Sequence, residues 1–289
     1  MSRARWRVGA STLGAPGEDL GGVIGTLGRH AVDVVELRAA PDALVHTELT
    51  APERARVRQD LESAGIEVLA VASGVRAGAD TDDDSVVSAL VAHLHLAHDL
   101  GARFVRVFPG APTHPAGKDE LPRLVEDAAG ADARIARRLA AVLPVAAAVG
   151  VRPVLETHDS HPRGADLVRV LDLLAAEHPD HAVGVIWDAL HPWRVGERPA
   201  ETAAALLPHL RDGRGYVQIK DTVSAADTTP VLQGTGAVPV DEVLDELAGG
   251  GYDGPVSLEW ERTWYPQVET LGEALGAAVT AVANWPART

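Results

Sequence analysis

Eight short runs of β-branched and large apolar residues alternate with helix-forming stretches along this chain, and that alternation limits the possible folds more than any other feature. The runs are Arg7–Leu13, Val32–Leu37, Glu67–Ser73, Phe104–Phe108, Pro153–Glu156, Val183–Asp188, Tyr216–Lys220 and Val256–Trp260. Each has strand length and is flanked by helical pattern, as expected of buried parallel strands. Strand and helix repeated eight times predict an α/β protein, a closed (β/α)8 TIM barrel, for which 289 residues is an ordinary length. The alternative is an open doubly wound sheet. Its dinucleotide-binding form needs a Gly-x-Gly-x-x-Gly after the first strand, and none is present.

Helices are expected at Thr50–Ala64, Ser85–Gly101, Arg134–Val149, Ala165–Ala176, Pro199–Leu210, Val240–Leu247 and Gln267–Ala283. The first opens on Thr50-x-x-Glu53, a capping box with Pro52 in its first turn, and stops at Gly65. No linker, low-complexity tract or charge block divides residues 1–289, so one barrel domain is expected. The longest connection, Pro109 to Asp132, is rich in Pro, Gly, Ala and charge and is a candidate lid over the barrel mouth.

The net charge of −15 disfavours nucleic acid and anionic membranes as partners, whereas a small neutral sugar or polyol is compatible with it. There is no cysteine, which excludes disulfides and thiolate metal sites. The basic Met1–Trp6 segment lacks the apolar core of a signal peptide, and the apolar stretch Leu139–Val151 is too short to span a bilayer. The expectation is a soluble cytoplasmic protein, with a homo-oligomer left open.

Function is read from the strand ends. A parallel barrel concentrates its chemistry at the carboxyl ends of its strands, and four successive runs there end in oxygen donors: Glu156, Asp188, Gln218 and Glu259. Any one alone could cap a helix or pair with an arginine. Together, at matching positions, they point to one divalent ion. An all-oxygen set favours Mn²⁺ or Mg²⁺, with Co²⁺ or Zn²⁺ as alternatives.

The segments Leu155-Glu156-Thr157-His158, Asp188-Ala189-Leu190-His191, Gln218-Ile219-Lys220-Asp221 and Gly251 to Glu259 resemble the xylose-isomerase-like TIM-barrel superfamily of sugar phosphate isomerases and epimerases. The resemblance runs from Val35-Glu36-Leu37-Arg38 to Glu259, nearly the whole chain, and its motifs are poor guides to substrate. It implies that Glu156, Asp188 and Glu259 hold the metal and that Glu156 and Glu259 form the acid/base pair. Gln218 stands where relatives more often have His. The resemblance also places His158 and His191 near substrate. Lys220, one of only two lysines, can bind a substrate oxygen or hold Asp221 or Glu259. Glu36 and Arg38 can reach the far end of a substrate or form a structural ion pair.

The implied reaction is sugar isomerisation or epimerisation by proton transfer through a metal-stabilised enediolate. The same intermediate can expel a β-hydroxyl, as in a dehydratase of the inosose type. A metal-dependent endonuclease sharing this barrel would need histidines where Ser73 and Phe108 stand. A non-catalytic sugar-binding barrel would lack Glu156 or Glu259.

Overall fold

The strand runs have a two-residue period, and in the structure one side of each faces the barrel interior while the other faces the helices. In this computed structural model, described for residues 6–114 and 123–285, the strands are β1 Val8–Ser11, β2 Val34–Ala39, β3 Glu67–Arg76, β4 Phe104–Phe108, β5 Arg152–Glu156, β6 Gly184–Asp188, β7 Tyr216–Ile219 and β8 Val256–Leu258. Each pairs in parallel with its neighbours in chain order, and β8 returns to β1 through Val8 opposite Val256 and Ala10 opposite Leu258, closing the barrel. The fold is a TIM barrel.

The surrounding helices are α1 Leu20–Arg29, α2 Ala51–Ser63, α3 Asp83–Leu100, α4 Ala128–Val149, α5 Gly164–Glu177, α6 Leu190–Arg194, α7 Pro199–Leu210, α8 Val240–Gly249 and α9 Leu271–Asn284. The Thr50/Glu53 box caps α2, and α3 ends at Gly101 in the left-handed conformation, φ 74°. Helix α1 had no counterpart among the sequence-predicted helices. Four glycines dilute its pattern, but Asp19 caps the Gly22 amide and Val23 and Leu27 are buried, so packing outweighs propensity. Helix α4 starts two turns before the expected Arg134 because Asp127 caps the Gly130 amide. It therefore takes in the end of the candidate lid, of which residues 115–122 lie outside the described residues.

Beyond β7, Asp221–Thr222 and Pro230–Val231 form a short antiparallel ladder at the mouth. Asp221 fixes the loop that follows by accepting from the amides of Thr222, Gly234, Gly236 and Val238. Among the described residues, no helix is long and apolar enough to cross a membrane.

Candidate active site

The floor of the site is a buried apolar layer inside the barrel that includes Val34, Ala70, Phe104, Val154, Ile186 and Tyr216. Two residues further along the same strands, side chains point inward again. There the interior turns polar, with Glu36, Arg106, Glu156, Asp188 and Gln218 all buried. Register fixes their levels. Asp188 lies opposite Gln218, and Gln218 opposite Ser257, so Glu259 rises one inward step above Ser257.

Glu156, Asp188 and Glu259 each offer an oxygen within 4.8 Å of the others'. The Lys220 ammonium joins the cluster from above Gln218, 2.8 Å from Asp188 Oδ2, 2.5 Å from Glu259 Oε2 and 2.6 Å from Glu261 Oε1. Of the roles open to this lysine from sequence, the structure shows the hold on Glu259, while Asp221 is occupied with its loop amides.

Sequence reasoning missed two members of the cluster, Glu261 and Arg106. The Arg106 guanidinium donates to Glu259 Oε1 at 2.9 Å, lies 3.4 Å from Glu156 Oε2, and is anchored by the Ser73 carbonyl at 3.2 Å and the Phe108 ring at 4.3 Å. The signal was present: in Phe104-Val105-Arg106-Val107-Phe108 the alternation puts the arginine on the inward face with Phe104 and Phe108.

Glu36 lies beneath this cluster, at 0% exposure. It accepts from Tyr216 Oη at 2.6 Å, Ser257 Oγ at 2.6 Å and Gln218 Nε2 at 3.0 Å. That last bond turns Gln218 so that its Oε1, which has no partner, is the free end of the amide. Glu36 thus orients a strand-end residue. Arg38 stands apart on the rim, paired with Asp42 at 2.9 Å and lying 5.5 Å from the Trp264 ring. Glu36→Ala would leave three buried donors without their acceptor, at about 1–3 kcal/mol each before relaxation. The expected result is a loss of about 3 kcal/mol or more in urea unfolding, with Glu36→Gln much milder; equal stability of all three proteins would contradict this role.

His158 and His191 stack with their rings 4.2 Å apart, and His158 also packs on Phe108 at 4.3 Å. With Glu156 they form a second grouping able to offer nitrogen donors. Burial, His158 and Lys220 push His191 well down, so it is neutral. His161 is engaged elsewhere, bonded to Ser160 Oγ at 2.7 Å and Asp132 Oδ1 at 2.8 Å.

The electrostatics separate the carboxyls. Burial raises Glu156 well above the usual range despite Arg106. It also raises Asp188 to about 7, only partly offset by Lys220. For Glu259 burial acts the same way, but Lys220 and Arg106 overcome it and bring the group to about 2. Lys220, opposed by burial but favoured by Asp188, Glu259 and Glu261, stays charged.

Five carboxyls therefore surround two cations. Neither oxygen of Glu156 nor Gln218 Oε1 receives a hydrogen bond. Buried acceptors that receive no hydrogen bond and face an acidic cluster fit a hard divalent cation, and the oxygen donor set suits one.

A closed parallel barrel with such a cluster at the carboxyl ends of its strands has the form of a TIM-barrel enzyme. The chain matches the family model described as xylose isomerase-like TIM barrel over residues 27–280, and it belongs to that family. Among solved structures, it is similar to the IOLI protein with a binding zinc atom, at 17% identity and TM-score 0.75, covering 97% of this chain and 99% of that one. It is similar to L-ribulose 3-epimerase at 19% identity and TM-score 0.70, covering 96% and 92%. The probable 3-DHS dehydratase AsbF from Bacillus anthracis matches at 15% identity and TM-score 0.71, covering 97% and 100%. No curated protein sequence matches significantly.

Proposed function

We infer that the protein is a divalent-metal-dependent sugar isomerase or epimerase that moves a proton beside a ketose carbonyl. The observation that carries this reading is the buried cluster in which Glu156 and Glu259 lie within 4.8 Å of each other beside Asp188, their surroundings shifting the two glutamates in opposite directions. Glu259, depressed by Lys220 and Arg106, suits removal of the substrate proton; Glu156, raised by burial, suits its return. Glu156, Asp188, Glu259 and Gln218 Oε1 would hold the ion, Mn²⁺ or Mg²⁺ by donor type. When bound, the ion supplies Lewis acidity to adjacent substrate oxygens. Lys220 and Arg106 fix Glu259 from two directions, and the His158–His191 stack forms a wall suited to substrate hydroxyls. The 3-epimerases among the structural relatives support this class of substrate.

β-Elimination is the second reading, favoured by the histidines stacked beside Glu156, which can hydrogen-bond a departing hydroxyl, and by the dehydratase among the structural relatives. The deciding experiment is a screen of ketohexoses and inososes with Mn²⁺-loaded protein in D₂O, followed by NMR. Deuterium at the carbon next to the carbonyl with conservation of water supports isomerase or epimerase; loss of water supports the lyase; no exchange with any ketone sinks both.

The Gln218 ligand is tested separately. Gln218→His replaces an amide oxygen with imidazole nitrogen, so preference should shift toward Co²⁺, Ni²⁺ or Zn²⁺. Titration of both metal-free proteins with Mn²⁺ and Co²⁺ should move the affinity ratio about tenfold, on the order of 1.4 kcal/mol. A ratio unchanged within about twofold removes Gln218 from the ligand set.

A further inference from the structure

At the amino-terminal face of the barrel, away from the carboxylate cluster, a cleft of about 730 Å³ opens between the starts of β4 and β5 and the ends of α4 and α5. That volume suits a small organic molecule. Its lining includes the apolar Phe104, Leu143 and Ala146 and the cations Arg103 and Arg152, with Arg214 following the lining Gly213 in the chain.

Arginine is a strong multiple donor and is ordinarily paired when partly buried. Among the described residues, the half-buried side chains of Arg152 and Arg214 make no hydrogen bond or ion pair. Arg103 lies over the Phe104 ring at 5.3 Å and has only a long pairing with Glu67, 3.6 Å. Burial and the charges of Arg214 and Arg103 all weigh against the charged form of Arg152. His181 and His209, also pushed down by burial and Arg214, do not relieve it. The carboxyls at the cleft, Glu177 and Asp180, are exposed at its edge and pair with none of the arginines. In a chain of net charge −15, the unpaired guanidiniums of Arg152 and Arg214, close enough to disfavour each other's charge beside an apolar cleft, invite an anion to complete them.

We propose that this basal cleft binds a small organic anion, its phosphate or carboxylate group held by Arg152, Arg103 and Arg214 and its apolar part lying against Phe104 and Leu143. Paired N–H donors of guanidinium match either group. The site is separate from the mouth and does not depend on the proposed reaction.

The test is calorimetric titration of the full chain with inorganic phosphate, phenyl phosphate and benzoate. One saturable site is expected, with phenyl phosphate tighter than phosphate by about threefold or more because its ring buries apolar area. Arg152→Ala and Arg214→Ala should each weaken phenyl phosphate at least about tenfold, and Arg58→Ala, on the outer face of α2, should change nothing. If Arg152→Ala does not fold, Arg152→Lys keeps the charge but loses the paired donors and should still weaken binding severalfold. Benzoate binding tighter than phenyl phosphate selects carboxylates, and phenyl phosphate binding tighter than benzoate selects phosphates. No saturation below about 10 mM, or binding unchanged in both the Arg152 and Arg214 variants, overturns the proposal.

Discussion

Glu259→Gln is expected to leave a folded barrel that still binds a divalent ion weakly, while solvent exchange of the substrate α-proton falls by about 10³-fold or more. The amide keeps one oxygen, which can accept from the Lys220 ammonium or the Arg106 guanidinium but not from both, since its other end is a donor. A modest fall in thermal stability follows. Loss of the proton acceptor removes general-base catalysis, typically about 10²–10⁴-fold, and the loss of negative charge between two buried cations adds to it. Glu261→Gln is the informative control. It also touches Lys220, at 2.6 Å, yet it lies outside the three-carboxylate grouping, so exchange should fall by no more than about tenfold. Exchange in Glu259→Gln within about threefold of the parent, by NMR in D₂O, would show that the base lies elsewhere.

The barrel was legible because two periodicities alternate without interruption. All eight sequence-predicted strands overlap observed ones, and the fold follows once they are counted. The misses have local causes. In α1, four glycines hide a helix that capping and packing sustain. In α4, the pattern begins after the cap that starts the helix. Glu156, Asp188, Gln218 and Glu259 were visible as strand-end polar residues, and the structure brings them to one end of the barrel. Arg106 and Glu36 were harder because their partners are 153 and 180 or more residues distant in sequence. Only barrel closure brings β2, β4 and β8 together. Sequence showed which residues end the strands; it could not show that Lys220 and Arg106 converge on Glu259.

Mn²⁺ affinity is expected to rise at least about tenfold per pH unit from pH 5 to pH 7, with release of at least about one proton per ion at pH 6. The cause is Asp188, raised to about 7 by burial and the charge of Glu259. Below that pH its proton must leave before the carboxylate can bind an ion, so metal and proton compete. Glu259, at about 2, is already ionised and adds no slope in this range, whereas Glu156, also raised by burial, must lose its proton to bind the ion as a carboxylate and steepens the rise. Folding of the metal-free protein should respond to the same two groups with opposite signs. Asp188, with its native value raised above the unfolded 3.8, makes stability fall as pH rises from about 4 to about 7. Glu259, with its native value depressed from 4.5, contributes stability that is present above about 4.5 and lost as pH falls toward 2. Calorimetry in two buffers of different ionisation enthalpy measures the released proton directly. Asp188→Asn should bind the ion more weakly and release about one proton fewer per ion at pH 6. An affinity that stays flat over this range in the parent protein would mean that the ion is held without Asp188, and that the Lys220–Asp188 pair is a permanent part of the fold rather than a place a metal can claim.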